Sequence, residues 1–160
     1  MADHPLVFFA SITDSPSVVV NLRRCMDSPG VDVRPLDAVL TSPLFSSPRS
    51  LALLREMSDL GAAILFDSGG YYVQTGRIRY EELYMPLLDT YRAHDWAALF
   101  TLPDHVPTSR DAPETVRRKV SETVWHAELF FDELPAGLKA RAMPVVQGHT
   151  RQQVDECLES

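Results

Sequence analysis

Apolar residues in this chain fall into two patterns. Short, nearly unbroken runs occupy residues 6–10, 36–40, 62–66, 96–100 and 142–146. Between them apolar residues recur every three or four positions. Nearly continuous short runs are how strands buried on both faces of a parallel sheet read, and the three-four recurrence predicts amphipathic helices. Met143-Pro144 weakens the last strand, because proline cannot donate to a ladder. Ser15-Pro16 reads as a helix cap with proline at the first helical position, leading into 18–26. Ser47-Pro48 does the same for 49–60, which Gly61 ends. The stretch 80–93 carries Leu83, Leu87, Leu88 and Tyr91 on one face. Asp111-Ala112-Pro113-Glu114 reads as a capping box. The helix behind it runs to about residue 134, with a buried stripe of Val116, Val120, Val124, Ala127 and Phe131. Thr150 caps a last helix, 151–159. Strand and helix thus alternate five times, which predicts an α/β fold with a parallel sheet. A doubly wound sheet and a (β/α)8 barrel both satisfy the pattern, and both place chemistry at the carboxyl ends of the strands.

Composition narrows the class. The 160 residues suit one domain, and 45% hydrophobic with 23% charged residues is a folded, soluble balance. No apolar run approaches the roughly 20 residues that span a bilayer, so no membrane role is expected. The first residues lack the basic start of a secretory signal. Cys25 and Cys157 form neither a disulfide framework nor a zinc knuckle, and the default compartment is a reducing cytoplasm. Both fall in helices and read as packing residues. His4, His94 and His126 lie away from the strand ends, and Trp96 and Trp125 read as core. A net charge of -7 opposes gripping a polyanion through the bulk field.

Three strand ends carry candidate chemistry. After the third run stand Asp67, Ser68, Gly69, Gly70, Tyr71 and Tyr72: a carboxylate, a hydroxyl, two glycines that permit close backbone approach, and a ring for stacking. After the fourth come Asp104 and His105 between two prolines. After the fifth comes Gln147-Gly148-His149, whose amide both donates and accepts, as the edge of a nucleobase requires. Each also has a plain structural reading: a turn capped by Asp67, a solvated proline-flanked loop, and a glycine turn ahead of Thr150. Gly76, Arg77 and Arg79 make a small basic spot that a solvated loop explains as well.

In order and spacing, Ile64-Leu65-Phe66-Asp67-Ser68-Gly69-Gly70-Tyr71, Pro103-Asp104 and Val145-Val146-Gln147-Gly148 resemble the tRNA-guanine transglycosylase family. These are (β/α)8-barrel enzymes that exchange a guanine base for a 7-deazaguanine, with relatives that act on DNA. The motifs cover 62–160; the first 60 residues match only in element order. The resemblance implies Asp67 as general acid/base, Ser68 and Gly70 lining the pocket, and Tyr71 stacking on the purine. It implies Asp104 and Gln147 hydrogen-bonding the base, with Gly148 supplying backbone. Tyr72 stands where the family has glutamine, with Gln74 two residues on, and His105-Val106-Pro107 replaces Glu-Cys-Thr. A closed barrel needs eight units and about 250 residues. The family's nucleophilic aspartate and its zinc-binding cysteine-histidine cluster lie on later elements.

The expectation is therefore that residues 1–160 form the N-terminal part of a transglycosylase-like barrel of about five βα units, inactive alone. No cofactor is expected in this chain. The expected partners are a deazaguanine base, a tRNA or DNA substrate and a complementary C-terminal polypeptide. Two other readings compete. One is a metal-dependent hydrolase with Asp67, Asp104, His105 and His149 as ligands. The other is a non-catalytic half-barrel that pairs with a second polypeptide.

Overall fold

The apolar runs do become parallel strands. The computed structural model describes residues 10–11, 16–30 and 38–159. Within them β1 (Ala10–Ser11), β2 (Ala38–Thr41), β3 (Ala63–Phe66), β4 (Leu99–Thr101) and β5 (Ala142–Met143) form one sheet in the order β1-β2-β3-β4-β5. Every pairing is parallel, with Val39 opposite Ile64, Leu65 opposite Leu99, and Phe100 opposite Ala142. The order nowhere reverses, so the sheet has no switch point of the doubly wound kind. Residues 6–9, Ser15, Leu36 and Asp37, on which parts of the first strand, first cap and second strand were expected, lie outside the described residues.

The connecting helices are α1 (Pro16–Asp27), α2 (Pro48–Asp59), α3 (Gly70–Gln74), α4 (Tyr80–Ala93), α5 (Pro113–Glu133), α6 (Ala136–Lys139) and α7 (Arg151–Glu159). Among the described residues no helix is long and apolar enough to cross a membrane. The cap of α2 forms as the sequence predicts: the Ser50 N–H donates to Ser47 Oγ at 3.2 Å, and Gly61, at φ +103°, ends the helix. Thr150 likewise accepts from the Gln153 N–H at 3.2 Å and caps α7. The short helices α3 and α6 carry no periodic signal, being too brief to repeat one.

The core lies between the sheet and α2, α4 and α5. Phe66, Tyr91, Phe100 and Phe130 are fully buried there, with ring centroids 5.0–5.8 Å apart between Tyr91 and Phe100, Phe66 and Phe100, and Tyr91 and Phe130. Helix α4 anchors this cluster even though Pro86 lies inside it. An interior proline costs about 3 kcal/mol. Burying Leu83, Leu87 and Leu88, each worth about 1.5–3 kcal/mol, outweighs that.

Five expectations need correction. Asp111 does not cap α5; Ala112 holds the cap position, and the Asp111 carboxylate turns to Lys119 and the Thr108 N–H instead. The buried face of α5 is Val116, Val120, Thr123 and Phe130, while Phe131 is exposed. Stripes through 123 and 124 are both continuous at helical spacing. The Thr123 hydroxyl, taking the His105 N–H at 2.9 Å, draws its own face inward. Trp125 is accordingly 57% exposed rather than core. Finally, β5 is not buried on both faces: it is an edge strand two residues long, Met143 is exposed, and Pro144 stops the ladder. Cys25 is likewise exposed, not packed.

The Tyr91 hydroxyl donates to the Thr101 carbonyl at 2.8 Å and sits 3.3 Å from that of Phe66, tying α4 to two strand ends. Tyr91→Phe is expected to lower unfolding free energy by about 1 kcal/mol, read from the urea midpoint at unchanged slope.

Candidate functional site at the carboxyl ends of the strands

The chain leaves β3 into the Asp67-Ser68-Gly69-Gly70 turn. The Asp67 N–H donates to the Thr41 carbonyl at 2.8 Å, extending the β2–β3 ladder by one residue. Asp67 Oδ2 accepts from Ser42 Oγ at 2.8 Å and from the Gly69 N–H at 3.0 Å. The carboxylate thus caps its own turn, as the structural reading has it, while standing half-buried on the rim. Ser68 is fully buried. Its N–H donates to Thr101 Oγ1 at 2.7 Å, and its hydroxyl donates to Asp104 Oδ1. From the end of β5, Gln147 Nε2 donates to Asp104 Oδ2 at 2.7 Å. Asp104 therefore joins three strand ends through one carboxylate.

Glycine at position 70 follows from this. A Cβ there would lie 2.7 and 2.9 Å from the two Asp104 oxygens. Gly70 also donates its N–H to Ser68 Oγ at 3.3 Å. Ser68, Gly70, Asp104 and Gln147 form one connected cluster. Asp67 adjoins it as a nearby negative charge. Tyr71 stands outside it: its side chain is 64% exposed on α3 and meets only the Tyr72 ring edge-on at 5.9 Å. Gly148 stands outside it too. A Cβ there would lie 2.9 Å from Gln153 Cβ and the Val154 nitrogen, so close approach of α7 accounts for that glycine.

Asp104 is 5% exposed. Burial raises its pKa above the ordinary carboxylate value, and the Asp67 charge adds to this; hydrogen bonds from Ser68 and Gln147 offset part of it. Both side-chain partners are neutral, and no Lys or Arg among the described residues pairs with it. Buried carboxylates normally have a cation.

The loop after Asp104 is fastened to α5. The His105 N–H donates to Thr123 Oγ1, and His105 Nδ1 lies 2.7 Å from Glu122 Oε2, with the imidazole stacked on Tyr80 at 4.4 Å. Burial lowers the His105 pKa despite Glu122. Glu122 itself is held below its usual value, because the bonds from His105 and Arg118 outweigh its own burial. Lys119 Nζ donates to Asp111 Oδ2 at 2.8 Å and to the Val106 carbonyl at 3.3 Å. The hydrogen bond from Lys119, with the Thr108 N–H, pulls Asp111 down to about 2. Sequence reasoning missed Ser42, Thr101, Lys119 and Thr123. Ser42 and Thr101 follow or end apolar runs, the one signal available; the two on α5 carry none.

The proposed metal ligands do not converge. The His105 ring faces Glu122, and His149 is exposed, its N–H on Gln153 Oε1 at 2.8 Å. Among the described residues no group of three or more His, Cys, Asp or Glu side chains is placed to hold a metal ion. A groove of about 370 Å³ lies between α5, α7 and the end of β5, with Val124, Phe131, Val146 and Leu158 in its walls. Comparison with protein-family models, curated proteins and solved structures finds no match.

Two outcomes follow for stability. Since the folded state raises the Asp104 pKa, its ionised form is disfavoured on folding. Asp104→Asn keeps a hydrogen-bond partner for Ser68 and for Gln147 without the charge. It is expected to raise the melting temperature at pH 7, with the gain shrinking as pH falls and the wild-type carboxyl protonates. Asp111 has the opposite sign. Its folded pKa is depressed to about 2, so its contribution is present above the unfolded value of roughly 4 and is lost as pH falls toward 2. An Asp111→Asn protein should show a flatter stability profile across that window in acid-denaturation scans.

Proposed function

We propose that this chain is the base-recognising part of a base-exchange glycosyltransferase that replaces guanine by a 7-deazaguanine in tRNA or DNA. The observation that carries the reading is Asp104: buried, with no cation paired to it among the described residues, and held by neutral donors from two other strand ends. A carboxylate has about four lone-pair sites, and these bonds use two. A heterocycle with a ring N–H beside an exocyclic amino group supplies donors to such a group in one plane. The second Gln147 N–H and its Oε1 remain for the ligand's other polar atoms. In the exchange, one glycosidic C–N bond breaks and another forms, guanine leaves with a proton, and the incoming base gives one up. Asp67, its Oδ2 held by Ser42 and Gly69, is the group we assign to that proton.

Sequential parallel order is what a (β/α)8-type barrel requires, and the β5 edge, unpaired among the described residues, with the apolar groove beside it suits a complementary polypeptide. The free Cys25 and Cys157 agree with a reducing cytoplasm.

The test is calorimetric titration of the chain with guanine and with 7-deazaguanine. Binding is expected. Asp104→Ala should weaken it about ten- to a hundredfold, the cost of about 1–3 kcal/mol for leaving the ligand's donors unpaired. A wild-type chain that binds neither base, or an Asp104→Ala chain with unchanged affinity, overturns the assignment.

A further inference from the structure

Beside the polar cluster stands an aromatic ladder that base recognition leaves unused. Phe45, in the 3₁₀ turn after β2, stacks on Tyr72 of α3 with ring centroids 3.9 Å apart. Gly69 makes room for it: at φ +89°, a Cβ there would meet Phe45 Cε2 at 2.6 Å. Arg77 continues the ladder. Its guanidinium lies 5.4 Å over the Tyr72 ring, and its N–H donates to the Tyr72 carbonyl at 2.9 Å, folding the loop back on α3. The exposed Tyr71 ring meets Tyr72 edge-on. Through Gly69, whose N–H holds Asp67 Oδ2, the ladder is joined to the candidate proton-transfer group.

Arg77 differs from its neighbour. Arg79 is spent on Glu82, at 2.6 and 2.9 Å. Arg77 is exposed, and no carboxylate among the described residues pairs with it. A cation–π contact at 5.4 Å keeps the guanidinium beside the ring, and its N–H groups can still meet an anion. A guanidinium so held, next to an exposed tyrosine, combines the two elements that bind single-stranded nucleic acid: charge for the backbone and a face for a base.

We infer that Arg77 and Tyr71 form a subsite for the phosphodiester and base that flank the reacting nucleoside on a single-stranded polynucleotide. The inference rests on the base-exchange reading for which strand lies there, and it adds where that strand is held. The net charge of -7 makes the subsite weak and local. Remote acidic groups are screened beyond about 10 Å at 0.1 M salt, so a contact made directly by Arg77 survives them.

The test is fluorescence anisotropy of labelled ten-nucleotide single strands, RNA and DNA of one sequence, with the full chain over a salt series. Wild type is expected to bind at low salt, and the tighter arm identifies the natural strand. Arg77→Gln should weaken binding about five- to tenfold and flatten the log affinity against log salt slope by about 0.7, one phosphate contact on a single strand. Tyr71→Ala should weaken it at least about fivefold through lost stacking. Arg92→Gln, near the opposite end of α4, should change nothing. Guanine affinity, titrated separately, should be the same in Arg77→Gln and wild type. Failure of wild type to bind either strand, or an Arg77→Gln chain with wild-type affinity and slope, overturns the subsite while leaving guanine recognition standing. Arg77-dependent strand binding without guanine binding overturns the base-exchange reading and leaves the subsite.

Discussion

The C-terminal rim depends on one buried carboxylate. Asp104 takes a hydroxyl from the end of β3 and an amide from the end of β5, and itself follows β4. Remove it and Ser68 and Gln147 lose their common partner. Its neighbours are built around it: position 70 must lack a side chain because the carboxylate lies against that backbone. Such a group opposes stability, because burial disfavours its charge. The cost falls at the rim of the sheet, where α/β proteins place their chemistry. That is the physical ground for reading the cluster as a binding site.

The rest of the architecture holds the carboxylate still. On one side, the Tyr91 hydroxyl ties α4 to the carbonyls of Phe66 and Thr101, just ahead of Ser68 and Leu102. On the other, Thr123, Glu122 and Lys119 of α5 take the His105 N–H, the His105 ring and the Val106 carbonyl in turn. The loop after β4 is therefore clamped along successive residues. On the outer rim, Asp67 and Gly69 pass the constraint to Phe45, Tyr72 and Arg77 by hydrogen bond and ring contact. A preorganised polar group and a rigid aromatic edge thus share one turn, 67–70, whose two glycines serve different neighbours.

The same contrast explains what could be read beforehand. Apolar runs with proline and glycine punctuation carry their own signal, so the strands, the Ser47 and Thr150 caps and the buried face of α4 are legible from residue order. So are the residues at strand ends: Asp67, Ser68, Gly70, Asp104 and Gln147. The misreadings have one origin. Asp111 looks like a cap because caps are local motifs, but Lys119, eight residues on, takes it. The face of α5 looks like Val124 and Phe131 because helical periodicity admits two adjacent stripes, and His105 decides between them. Tyr71, next to the cluster in sequence, is turned out to solvent by α3.

By itself the sequence determined the alternation of strands and helices, the class of fold, and which polar residues stand at strand ends, because period and punctuation are properties of neighbouring residues. Only the tertiary structure decided the edge position of β5 and the meeting of Ser68, Asp104 and Gln147 across as many as 79 positions of chain. It also decided that, among the described residues, Asp104 meets them without a cation. Those are long-range choices, made when the packed sheet fixes which strand ends are adjacent, and no local pattern records them.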